Sequence, residues 1–151
     1  VTPIPLALTL LDWRHFGTAY AAEIAVNAGA AAAGLEAAGM TVFSTAKGTT
    51  ASHQFALEAA ALGGGQAASK KLRQAGFLAC GIGLPIAPVA GDMNGLRFGT
   101  PELVRWGMTT VDMPELAKLV AEALRSNDPA AMAGRVAKWR RSFNTLHFIH
   151  P

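Results

Sequence analysis

The alanine-rich run Ala19-Tyr-Ala-Ala-Glu-Ile-Ala-Val-Asn-Ala28 constrains the fold more than any other stretch. Alanine is the best helix former, and the run sits inside a longer segment, residues 5–38, that reads as helix throughout. Tyr20, Ile24, Ala28, Ala31 and Leu35 fall on one stripe, whose small side chains let another element approach closely. Gly17, Gly29 and Gly34 each weaken the helix by about 1 kcal/mol relative to alanine, so a break near Gly17 is expected. Gly39 is a natural C-terminal cap. One rod of this length leaves only short pieces for the rest of the fold.

Those pieces alternate in type. Residues 40–44 read as a strand, 47–50 as a turn and 52–58 as a second strand, followed by the loop Gly63-Gly-Gly65. An amphipathic helix is expected over 66–75, ending at Gly76, and a continuous buried strand over 77–82. Pro85, Pro88 and Gly91 make residues 84–94 a long irregular loop, a kind of segment that often carries function. The next strand holds Leu96, Arg97 and Phe98 between Gly95 and Gly99. Asp112 and Glu115 have the spacing of a capping box, before a helix with the stripe Leu116, Leu119, Val120, Ala123 and Leu124. Asp128-Pro129 opens a last helix, with Met132, Val136, Trp139 and Phe143 on its packed side. The sum is an α+β fold: a small antiparallel sheet covered by helices on one face.

Composition narrows the function classes. The chain has 151 residues, a charged share of 15%, positive mean hydropathy (+0.28) and net charge +3. So apolar a chain is expected to keep some surface for a partner or for another part of a longer protein. Its basic clusters, Lys70-Lys71-Arg73 and Lys138-Arg140-Arg141, do not interleave with aromatics, which argues against nucleic-acid binding. The apolar residues 4–11 are too few to span a bilayer and lack a basic leader, so neither a membrane span nor a signal peptide is expected. The single cysteine, Cys80, cannot form an internal disulfide; it reads as a small buried hydrophobe in a cytoplasmic protein. No histidine spacing suggests a metal site. The start at Val1 reads as a cut, making the chain the C-terminal part of something longer.

The chemistry concentrates around Arg97. A cation in a glycine-walled strand can clamp a small carboxylate or phosphate. The alternative is an edge-strand arginine paired to a structural acid. His53 starts a strand and reads either as a site residue or as a hydrogen-bonded structural histidine. Trp106 reads as core or interface. No serine-nucleophile motif is present, and Gly81-Ile-Gly83 lacks the helix that a phosphate loop needs.

The stretch Asn94-Gly-Leu-Arg-Phe-Gly-Thr-Pro-Glu-Leu-Val-Arg-Trp-Gly-Met108 resembles the C-terminal signature of the serine hydroxymethyltransferases, roughly S-G-(I/L)-R-(hydrophobic)-G-T-P followed by a second arginine and a glycine. Gly48-Thr-Thr-Ala-Ser-His-Gln-Phe55 is similar to that family's G-G-T-D-N-H turn and strand, and Asn27–Gly39 to its N-A helix. The resemblance runs from about residue 15 to 125. It implies the small C-terminal domain of a fold-type I pyridoxal 5'-phosphate enzyme over 40–151, with 1–39 as the helical lead-in from a large domain. Arg97 would then bind the α-carboxylate of an amino-acid substrate such as serine or glycine, with His53, Thr100 and Arg105 in support. The cofactor lysine would lie in the large domain: Lys47, Lys70, Lys71, Lys118 and Lys138 match no cofactor context, so this chain alone should be inactive. Homodimers or tetramers are implied.

The chain also departs from the family. Where the family's loop after the third strand reads roughly V-N-K-N-x-x-P, this chain has Cys80 and Ile82 in place of the asparagines, and Ala51-Ser52 in place of Asp-Asn. The first function that the resemblance implies is a serine hydroxymethyltransferase, converting serine to glycine with one-carbon transfer to tetrahydrofolate, which the backbone around Gly83, Leu84 and Pro85 could still hold; a bulkier amino acid such as α-methylserine is a variant of that reading. Without folate, the chemistry would be that of an aldolase or transaldolase of β-hydroxy amino acids. A non-catalytic interaction module of the same fold is the third reading.

Overall fold

A computed structural model describes residues 3–150. Helix α1, Pro3–Ala37, is one unbroken rod. The break expected at Gly17 does not occur; instead the Trp13 indole lies over the glycine, 2.9 Å from where a β-carbon would stand. The second half of α1 buries Tyr20, Ala28, Ala31, Ala32 and Leu35, the expected stripe with Ile24 half-buried. The helix ends at Gly39, whose φ of +77° lets the Met40 amide reach back to the Leu35 carbonyl.

Three strands make an antiparallel sheet in the order β1-β3-β2: β1 is Gln54–Glu58, β2 Cys80–Ile82 and β3 Gly95–Gly99. Two expected strands are corrected. Residues 40–44 form a single bridge, Val42 to Leu57, extended only by hydrogen bonds of Thr41 and Phe43 to β1, because the chain turns away at Thr45–Gly48. Residues 77–79 do not join the sheet: the Ser69 hydroxyl draws the Ala79 carbonyl toward helix α2 (Gly65–Ala75), and Leu78 is left 86% exposed.

Leu57 pairs with Leu96, and Phe55 stacks on Phe98 at 5.5 Å, so one sheet face is apolar. These residues join a core completed by α1, α2 and α4 (Met113–Arg125), whose Leu119, Val120, Ala123 and Leu124 are buried as expected while Leu116 is half-buried. The capping box lies one turn earlier than expected: Thr109 and Asp112 form it, with the Thr109 amide donating to Asp112 Oδ2 at 2.8 Å. A 3-10 turn at Thr110–Asp112 shifts the start of the helical path and moves the box with it. Helix α3, Pro101–Arg105, follows β3 directly, and α5, Ala133–Arg140, follows the 3-10 turn Pro129–Met132 that Asp128 caps. The C-terminal tail then returns to α1: the His147 amide donates to the Arg105 carbonyl, and His150 binds Asp12 through its amide and its ring, each at 2.9 Å. That contact lowers the Asp12 carboxyl below its usual range. Among the described residues, no helix is long and apolar enough to cross a membrane.

Candidate carboxylate site on the open face of the sheet

Alternation along β3 turns Arg97 to the face opposite Leu96 and Phe98. Its partners in register are Ala56 on β1 and Cys80 on β2, so all three share this face, which is covered at Ala56 and open at Arg97 and Cys80. Arg97, Cys80 and Gly99 line an open cleft of about 400 Å³ together with His53, Gln54, Leu78 and Ala79. The edge-strand reading of Arg97 is overturned. β3 is the central strand, Arg97 is exposed, and the ion pairs among the described residues lie elsewhere, at Arg135–Glu122 and His150–Asp12. An exposed guanidinium without an acid to answer it is ready to take a carboxylate with both of its nitrogens.

Cys80 is likewise not the buried hydrophobe that its apolar run suggests. It is half-exposed, because β2 lies at the sheet edge and its Arg97-facing side is open. His53 is exposed on the rim of the cleft. What is fixed there is its backbone: the His53 carbonyl accepts from the Thr100 amide at 3.0 Å and the Thr100 hydroxyl at 3.1 Å. The same hydroxyl lies 2.6 Å from the Ile24 carbonyl of α1. Thr100 is 1% exposed, so one buried side chain ties the end of β3 to the start of β1 and to the long helix.

Arg105 is not brought to this cleft. Its guanidinium lies 5.1 Å over the Tyr20 ring and donates to the Phe148 carbonyl, serving the contact between α3, α1 and the tail. Trp106 is half-buried, donates to Glu102 at 2.8 Å and carries Arg140 over its ring. Of the loop residues, Gly83 and Pro85 are exposed, whereas the amide and carbonyl of Leu84 are both engaged by Asn94. Sequence reasoning missed Asn94. Its signal was an asparagine at the motif position where the family has serine, directly before Gly95. Asp92 also joins the loop to the fold. It accepts the amides of Gln66 and Ala67 at the first turn of α2, which hold its carboxyl below the usual range. None of the lysines lines the Arg97 cleft, and no cluster of three metal-ligating side chains occurs among the described residues.

No family model matches the chain. Among curated proteins, it is 52% identical over 145 residues to an alpha-methylserine aldolase of Ralstonia sp, covering 95% of this chain and 33% of that protein. It is 56% identical over 144 residues to one of Variovorax paradoxus, covering 95% and 32%. A serine hydroxymethyltransferase of Pyrobaculum aerophilum is 34% identical over 141 residues, covering 93% and 33%. Among solved structures, L-threonine transaldolase from Pseudomonas fluorescens in its internal aldimine state superposes with a TM-score of 0.81 at 26% identity, over 94% of this chain and 32% of that one. The chain thus spans about a third of the length of the curated relatives it matches. The α+β layer is that of the C-terminal region of a fold-type I pyridoxal-phosphate enzyme. Within that class, its relatives are serine hydroxymethyltransferases and alpha-methylserine aldolases, of which it matches about a third.

Proposed function

We propose that the chain is the C-terminal third of an enzyme that cleaves the Cα–Cβ bond of a β-hydroxy-α-amino acid and releases the aldehyde without folate, with α-methylserine as the model substrate. The observation that carries this reading is Arg97, exposed on the central strand, unopposed by an acid and facing a cleft. Its role is to bind the α-carboxylate and hold the amino acid in one orientation, so that the bond to be broken stays aligned for reaction. Pyridoxal phosphate, when bound, supplies the electron sink for the pair released from that bond. This chain fits the amino-acid side of such a site and not the cofactor's anchoring side, since the cleft holds a carboxylate-binding cation and no lysine. Residues 1–39 serve as the lead-in and 40–151 as the small domain; the remainder of the protein supplies the Schiff-base lysine, so the isolated chain is inactive.

Folate independence is favoured by the cleft side of β2, where Cys80 and Ile82 offer no amide side chain. It is also favoured by Leu84, whose backbone groups are already engaged. The second reading is a serine hydroxymethyltransferase using tetrahydrofolate, supported by the Gly95–Gly107 motif and the 34% relative. On either reading the protein is a cytoplasmic homodimer or tetramer.

The test uses the full-length enzyme loaded with cofactor. Aldehyde release from α-methylserine in the absence of tetrahydrofolate supports the first reading; cleavage that requires tetrahydrofolate supports the second. Arg97→Ala should weaken amino-acid binding by about 2–4 kcal/mol in either case. Unchanged binding would remove Arg97 from the site.

A further inference from the structure

We propose that Asn94 and Leu84 set the substrate preference of the Arg97 site. Asn94 pins the loop so that Leu84 lies over Gly95 as an apolar wall beside the carboxylate anchor, and the wall favours an amino acid carrying an alkyl group at Cα over one carrying hydrogen. The inference rests on Arg97 being that anchor.

Asn94 is 8% exposed and directs its whole amide at one stretch of loop. Its Oδ1 accepts the Leu84 amide at 2.7 Å, and its Nδ2 faces the carbonyls of Leu84, Ile86 and Ala87 at 2.9, 3.1 and 3.2 Å. An asparagine amide has two N–H groups and one carbonyl oxygen, so the three acceptors engage both N–H groups, with one hydrogen shared, and the Leu84 amide takes one of the two lone pairs of the oxygen. The Asn94 backbone is held as well, its carbonyl accepting the Ala59 amide at 2.8 Å. Serine, the residue of the family motif, has a single donor and a shorter reach, and could not hold the loop in this shape.

The product of this pinning is the placement of Leu84. A β-carbon on Gly95 would stand 2.6 Å from Leu84 Cγ and 2.7 Å from Cδ1, so the leucine fills the place of the side chain that β3 lacks there. Gly95 and Arg97 are two residues apart on one strand and therefore share a face. Ile82 is the register partner of Gly95 and shares that face too. That face thus runs from His53 and Gln54 at one end, past Arg97, to Gly95 at the other, where Ile82 and Leu84 stand on the β2 side and Glu58 on the β1 side. Groups bonded to Cα lie next to a clamped carboxylate, and on the β2 side of this end they meet the hydrocarbon of Leu84 and Ile82. Leu84 cannot offer its own amide or carbonyl instead, because Asn94 occupies both. A methyl group gained or lost against such a wall discriminates by roughly 10–200-fold.

The test again uses the full-length, cofactor-loaded enzyme, as wild type, Leu84→Ala and Asn94→Ser. Two quantities are measured: the ratio of kcat/KM for α-methylserine over serine, and hydrogen exchange at the Leu84 amide without substrate. Each variant should lower the ratio about tenfold, and Asn94→Ser should speed exchange at Leu84. An unchanged ratio in Leu84→Ala overturns the proposal, as does unchanged exchange in Asn94→Ser. Leu84→Ala leaves the Asn94 amide in place, so it answers even if Asn94→Ser fails to fold. If the wild type cleaves neither substrate, the aldolase reading falls, and competition between α-methylserine and serine for binding decides the wall. A preference lost in Leu84→Ala upholds it, and a preference kept or never present overturns it.

Discussion

Leu96 and Arg97 are neighbours on one strand and belong to different parts of the protein's physics. Leu96 is fully buried between β1 and the helices, and the adjacent Phe98 stacks on Phe55. Arg97 faces an open cleft and contributes nothing visible to the core. The alternation of a strand lets a protein place stability and recognition one residue apart without mixing them. The two can therefore be perturbed separately, provided that the residues joining the faces are left alone.

The largest expected effect on stability is at the buried face. Leu96→Ala should destabilise the protein by about 2–5 kcal/mol, read from denaturant midpoints; a loss below 1 kcal/mol would mean that the core can collapse around the gap. Thr100→Val comes next, because it removes a buried hydroxyl bonded to the Ile24 and His53 carbonyls. It should cost about 1–3 kcal/mol and, unlike Leu96→Ala, weaken amino-acid binding as well, since Thr100 joins the two faces. Asp92→Asn should destabilise the protein at neutral pH and cease to matter in acid. The Asp92 carboxyl is held below its ordinary value by the Gln66, Ala67 and Met93 amides and by nearby Lys70. Its stabilisation is present above the unfolded carboxyl value and is lost as pH falls through the lower folded one. The variant should therefore show a flatter acid limb in a plot of melting temperature against pH. Arg97→Ala should be smallest, changing stability by less than about 0.5 kcal/mol while removing carboxylate binding. A large loss of stability there would erase the distinction between the faces.

Local period made much of this legible in the sequence. The α1 stripe, the strand ending at Glu58, helix α2 and the Arg97 strand follow from spacings within a few residues, and the chain folds accordingly. The failures share a cause. Whether residues 40–44 and 77–79 become strands depends on groups outside the segments themselves: the turn at Thr45–Gly48 and the hydroxyl of Ser69 win over local β-propensity. Cys80 sits in an apolar run, yet its exposure is decided by which strand forms the edge. Arg97 and His53, which line one cleft, were singled out because a motif carried them. Asn94 was not singled out, since its bonds reach back over as many as ten residues of irregular loop that has no periodicity to read. Arg105 shows the converse: a motif position does not place a side chain in the cleft, and here Tyr20 and the tail claim it.

The contact of His150 with Asp12 joins positions 138 residues apart. The fold has already brought these segments together, so the tail adds a clasp at the small ordering cost of its own few residues. Such a clasp is a natural gauge. Neither partner belongs to the core, so opening it should leave the core intact, and closing it requires the first half of α1 to hold its angle to the tail. The amide resonance of His150 should therefore report the pivoting of that helix, giving spectroscopy a probe for domain movement far from the chemistry and free of any added label.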